Sequence, residues 1–135
     1  MSLCRCESGK SYAECCQPCH EGKPAASALG LMRSRYSAYA LGLVDYIVKT
    51  THPEHPDAKR PVEVRRKEIK EFCQTTVFKG LQILEAKEVD SKGVVKFTVF
   101  LVMDGKDFFY TEKSTFEKVN GQWLYLKGEL SLSTA

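Results

Sequence analysis

The chain has 135 residues, with 20 Lys and Arg against 17 Asp and Glu and a formal net charge of +3; that length makes about one domain. So mild a charge gives no argument by itself for a nucleic-acid or membrane partner. No run approaches the roughly 18 apolar residues a membrane helix needs, and Met1-Ser2-Leu3-Cys4-Arg5-Cys6 lacks the apolar core of a signal peptide, so a reducing cytoplasm is the expected compartment.

The first 24 residues stand apart. They carry five of the six cysteines, and Leu3 is their only large aliphatic residue after Met1. Such a segment cannot fold by hydrophobic burial and needs a metal, a crosslink or a neighbour to dock on. Gly22-Lys23-Pro24 reads as a linker, so the chain divides into a knuckle over 1–24 and a second domain over 25–135.

Within the knuckle, Cys4-Arg5-Cys6 and Cys15-Cys16 form two local pairs with a loop between them. Tetrahedral zinc takes four such ligands, with sulfur at about 2.3 Å. In a cytosolic chain this cluster points to metal rather than to a disulfide. Ser8-Gly9 gives a tight turn whose amides can donate to thiolate sulfur. Ser11 and Glu14 match the S-x-x-E capping box, which predicts a helix starting at Ser11 with Cys15 and Cys16 at its far end. Four thiolates on Zn²⁺ leave negative charge that Arg5, Lys10 and Lys23 are placed to offset. Cys19 and His20 are the alternatives to Cys16 as fourth ligand. Four filled positions make a structural site, and bound metal then supplies the folding free energy the segment lacks.

From Ser27 the period is helical, with Leu29, Met32, Tyr36 and Ala40 on one face, Ser27 as N-cap and Gly42 as the stop. A second short helix carries Asp45 in its first turn and Val44, Ile47 and Val48 inward; His52-Pro53 ends it. Pro61 starts a third helix. It turns Val62, Ile69, Phe72 and Cys73 inward and leaves Glu63, Arg65, Arg66, Lys67, Glu68, Lys70 and Glu71 as a solvated face.

From Thr76 the period becomes two. Four strands are predicted, over about 78 to 89, 93 to 103, 107 to 119 and 122 to 128. Asp90-Ser-Lys-Gly93, Asp104-Gly105 and Asn120-Gly121 are the turns, the last two being strong hairpin signals. Helices followed by an antiparallel meander give an α+β domain, three helices on one face of a curved sheet of about four strands. Such a cone has an open mouth, where small-molecule sites form.

The pattern C-x-C-x-S-G-K-x-Y-x-x-C-C from Cys4 to Cys16 resembles the SEC-C motif, the zinc-binding element at the C-terminus of the SecA translocase. The usual form reads Pro-Cys-Gly-Ser-Gly where this chain has Arg5 and Glu7, at non-ligand positions. The resemblance carries the ligand role onto Cys4, Cys6, Cys15 and Cys16. Leu31-Met32-Arg33-Ser34-Arg35-Tyr36-Ser37-Ala38-Tyr39-Ala40, Tyr46 to Pro53, Glu112 to Phe116 and Gly121 to Tyr125 together look like the YchJ-like family of uncharacterised bacterial proteins. That resemblance implies a SEC-C element fused to a nuclear-transport-factor-2-like, cystatin-like cone, and no established activity.

Candidate pocket residues follow from the matching stretches: Arg33, Tyr36, His52, Glu112 and Trp123, with Arg35, Tyr39 and Ser114 beside them. His52 is the one group suited to acid–base work near neutral pH, with Glu112 able to pair with it or with Arg33. The structural readings are a turn histidine, a helix-to-sheet ion pair and core aromatics. Three functions compete. The leading one is a non-catalytic binding or adaptor module, with Arg5, Lys10, Tyr12 and Lys23 of the knuckle meeting a protein partner. The second is a small-molecule carrier or small enzyme using the cone. The third is a nucleic-acid binder using Arg65, Arg66, Lys67 and Lys70, which the interleaved glutamates oppose.

Overall fold

The Ser27 hydroxyl accepts the Gly30 N–H at 2.9 Å and so starts the helix that organises the molecule. The computed structural model describes residues 3–131; Met1, Ser2 and 132–135, at the outer ends of the two expected units, lie outside the described residues. Four helices, α1 Gln17–His20, α2 Ala28–Leu41, α3 Val44–Lys49 and α4 Val62–Thr75, precede four strands, β1 Thr76–Val89, β2 Lys92–Met103, β3 Lys106–Val119 and β4 Gln122–Ser131. The strands pair antiparallel in the order β1-β2-β3-β4. No helix among the described residues is long and apolar enough to cross a membrane.

The hairpins close where turn chemistry placed them. Asp90, Asp104 with Gly105, and Asn120 with Gly121 all have positive φ, which matches the right-handed twist of the flanking strands. The first turn is shorter than expected: Val89 pairs with Lys92, so Gly93 is a strand residue. Its missing Cβ lets α2 approach, since a methyl there would overlap Ala28 and press on Trp123. Register shifts at Phe78/Gly80 and Ile83/Glu85 in β1, and at Leu126 in β4 opposite Thr115/Phe116, bend the sheet. The curved inner face carries Phe78, Val95, Phe97, Val99, Leu101, Phe116 and Trp123, and α2 covers it with Ala28, Leu31, Met32 and Tyr36.

Two helices depart from the sequence reading. α2 is buried on more than one side: Ser34, Arg35 and Ser37 are as inaccessible as its apolar residues, because α1 and α3 pack on the flank away from the sheet. In α4 the packed face runs Arg65, Ile69, Phe72, an i, i+4, i+7 series. Val62, expected inward, is 41% exposed, and Arg65, expected outward, is 8% exposed. Arg66 is held by Asp45 at 3.0 Å and Glu63 at 3.1 Å.

The capping-box helix does not form. Ser11 is extended and bridges to Leu3, and its hydroxyl is buried without a partner among the described residues. A single 3-10 turn spans Tyr12–Glu14, the chain breaks at Cys15, and Cys16 caps α1, with Pro18 in its first turn. Adjacent residues on a continuous helix diverge by about 100°. The break between Cys15 and Cys16 is what lets both sulfurs face the same point.

Candidate functional site

The knuckle brings together the sulfurs of Cys4, Cys6, Cys15 and Cys16, all within 4.8 Å of one another. Glu7 and Gly9, both with positive φ, turn the chain between the two pairs, and the Cys4 N–H donates to Lys10 O at 2.8 Å. Cys6 lies 3.4 Å from Cys15, and Cys15 lies 3.8 Å from Cys16. Four sulfurs about 2.3 Å from one ion stand about 3.8 Å apart at tetrahedral angles, so the set is close to the spacing such an ion requires. All six cysteines are free. Hydrogen bonding from Cys16 holds Cys6 down to about 4, while that same pairing, with burial, pushes Cys16 up. The Ser8 hydroxyl lies 3.1 Å from the Cys15 sulfur. Crowded thiols that share protons in this way fit a cation that takes the protons' place.

The two alternative ligands are engaged elsewhere. His20 Nδ1 accepts the Tyr12 hydroxyl at 2.7 Å and Nε2 donates to Ser34 O at 2.8 Å. Burial lowers its pKa below 6.5, which keeps the ring neutral. Cys19 lies outside the sulfur cluster and packs against the apolar residues of α2 and α3. Arg33 does not reach the cone either; its Nη1 donates to Cys6 O at 2.6 Å. His20 and Arg33 thus clamp the knuckle to α2, and Cys4, Cys6 and Cys16 belong to the same apolar cluster as Trp123. Of the expected docking residues, Arg5, Lys10 and Lys23 are exposed, whereas Tyr12 is half-buried and committed to His20.

Inside the cone lies a cavity of about 160 Å³, walled by Arg35, Tyr36 and Tyr39 of α2, Phe72 of α4, and Tyr110, Glu112, Ser114 and Tyr125 of the sheet, among others. Glu112 accepts the Tyr125 hydroxyl at 3.2 Å and the Ser114 hydroxyl, rather than Arg33. Gly128 opposite Ser114 leaves room for this pair, because a Cβ there would meet both Tyr125 and Glu112. Burial raises Tyr36 to about 12 and raises Tyr39, Tyr110 and Tyr125 too, so the phenols stay protonated. Arg35 donates to Thr50 Oγ1 at 2.7 Å and Ile47 O at 3.1 Å, with its guanidinium 4.7 Å from the centre of the Tyr125 ring.

Tyr36 and Glu112 therefore meet in the cavity, and His52 and Trp123 do not. Trp123 fills the core where Gly93 and Ala28 touch. His52 is 5% exposed, with Nδ1 accepting the Glu54 N–H and Nε2 donating to Glu117 at 2.6 Å. Its N–H donates to Tyr125 O, and Tyr125 N–H to Thr50 O, each at 2.8 Å. His52 thus joins the end of α3 to β4. Sequence reasoning missed Tyr110, Tyr125 and the buried Arg65. The first two carried a signal: Tyr110, Glu112 and Ser114 alternate on one strand face, as Trp123 and Tyr125 do on the next.

Comparison with known proteins agrees with this architecture. Residues 27–128 match the family described as YchJ, middle NTF2-like domain. A UPF0225 protein of Vibrio vulnificus is 40% identical over 129 residues, covering 93% of this chain and 73% of that protein. One from Deinococcus radiodurans is 38% identical over 125 residues, covering 91% and 85%. The solution structure of a SEC-C motif containing protein from Rhodopseudomonas palustris superposes with a TM-score of 0.81 at 38% identity, covering 93% of this chain and 96% of that one. A crystal structure of a SEC-C motif containing protein from Psychrobacter arcticus gives 0.76 at 29% identity, covering 98% and 84%. With its N-terminal cysteine cluster and its four-stranded cone, the chain belongs to the YchJ-like, UPF0225 family.

Proposed function

We propose that this chain is a cytoplasmic, non-catalytic small-molecule-binding module whose N-terminal knuckle is held by a structural zinc ion on Cys4, Cys6, Cys15 and Cys16. The cone cavity carries the binding half of this reading: it sets one guanidinium, one carboxylate and four protonated phenols around about 160 Å³. Apolar walls with a few convergent polar groups are the usual composition of a ligand site. His52 takes no part in the cavity, because both its nitrogens serve the α3–β4 junction. For the knuckle, four thiolate donors on one ion select zinc over harder cations.

The test is a ligand-observed NMR screen of small aromatic and polar compounds against the metal-loaded chain, repeated on Val99→Phe. Val99 is 2% exposed and faces the cavity, so the larger ring fills it. Saturable binders that are lost in Val99→Phe are expected. An empty screen, or binders that the variant leaves untouched, would contradict the reading.

A further inference from the structure

Arg35 and Arg65 are both 8% exposed, and arginine is rarely so buried unless it is paired. Neither forms an ion pair among the described residues. Arg35 spends Nη1 on Thr50, Ile47 and, at 3.4 Å, Thr51, which leaves most of its five donor positions available. Arg65 has no side-chain hydrogen bond among the described residues. The two come from different helices and wall the same cavity, of about 220 Å³. That cavity shares Arg35, Tyr39 and Tyr125 with the tyrosine-lined one.

The nearby carboxylates have other hydrogen-bond and ion-pair partners. Asp57 and Glu68 also border the cavity, but Arg60 engages both, at 3.3 and 2.5 Å, and their side chains are 53% and 54% exposed. Glu112, on the cone side, accepts from Ser114 and Tyr125. His55 also walls the space; burial lowers its pKa, with Arg35 and Arg65 acting the same way against Asp57 and Glu112, so it adds no positive charge. Two guanidinium groups around one space, neither with an ion-pair partner among the described residues, repel each other. An oxyanion between them offsets that repulsion, because the guanidinium fork matches a carboxylate or phosphate.

We propose that the two adjoining cavities together bind a small organic anion, with its carboxylate or phosphate oxygens between Arg35 and Arg65 and its apolar body among Tyr39, Tyr110 and Tyr125. This rests on the ligand-binding reading above and gives it a charge and a size. Each cavity is below the roughly 300 Å³ of a drug-sized site, so the ligand is a small metabolite rather than a lipid or peptide.

The experiment is calorimetric titration of the metal-loaded chain with benzoate, phenyl phosphate, benzamide and benzylamine. At least one of the two anions should bind about tenfold or more tightly than the neutral and cationic compounds, and the better of the two identifies a planar or a tetrahedral oxyanion. Arg65→Gln should remove that preference. Arg35 also holds the end of α3, so Arg65 is the cleaner position. Arg65→Met should leave the ligand-free melting temperature unchanged or raised, since it keeps the apolar stem and deletes a charge with no ion-pair partner among the described residues; a marked drop would show Arg65 to be structurally paired and overturn the proposal. Equal binding of benzamide or benzylamine, or unchanged anion binding by Arg65→Gln, would overturn it too while leaving the cavity a ligand site. Absence of binding by all four compounds would contradict both readings.

Discussion

His20 has both ring nitrogens committed, one to the Tyr12 hydroxyl and one to Ser34 O, and this has a consequence for pH. Burial depresses its pKa below 6.5 in the folded chain. As pH falls through that value the unfolded chain takes up a proton that the folded chain refuses, so the contribution is complete above it and is lost below it. The melting temperature should fall between about pH 7.5 and 5.5, and His20→Asn should flatten that slope; an equally steep slope in the variant would remove His20 from the account. Ser11 makes a complementary case. A working N-cap serine costs about 1 kcal/mol when truncated, but this hydroxyl is buried without a partner among the described residues. Ser11→Ala should change unfolding free energy by less than about 0.5 kcal/mol in a denaturant titration. At this scale the convergence of the cysteine pairs was legible because each pair is local in the sequence. Arg65 was not, because a basic residue on a charged helix carries no mark of the space it faces.

Among the elements, α2 decides the most. It contacts the sheet with one face and α1 and α3 with another, and Ser34, Arg35 and Ser37 are buried in the second contact. Its closest approach to the sheet is at Gly93. Gly93→Ala would drive a methyl into Ala28 and against Trp123, and overpacking of that kind costs about 1–3 kcal/mol. Thermal unfolding should show the loss, with Gly80→Ala, where a methyl makes only ordinary contacts, as a comparison. The strands were readable almost to their ends, since alternation and Asp-Gly or Asn-Gly turns are local signals; β1 and β4 run longer than expected through their pairing with β2 and β3. The knuckle helix was misread because S-x-x-E describes how a helix starts, while the convergence of four sulfurs demands that it break.

For the whole molecule, the cysteine cluster and the cone share one core, with Cys4, Cys6 and Cys16 in the cluster that includes Phe116 and Trp123. Structural zinc supplies about 10–16 kcal/mol in isolated fingers, against a net stability of about 5–15 kcal/mol for an ordinary domain. Chelation should therefore lower the midpoint of a single transition seen through the emission of Trp123, rather than melt the knuckle alone. A Trp123 signal indifferent to chelator would separate the two parts. The composition of the first 24 residues and the Gly22-Lys23-Pro24 linker implied two units; the clamps of His20 and Arg33 on α2 are long-range contacts that no local pattern encodes.

The metal claim itself is tested most directly by the metal content of the untagged chain grown with ample zinc. The account predicts about one zinc per chain, falling away in Cys6→Ser. Less than half an equivalent in the unaltered chain, or full retention in that variant, would contradict it.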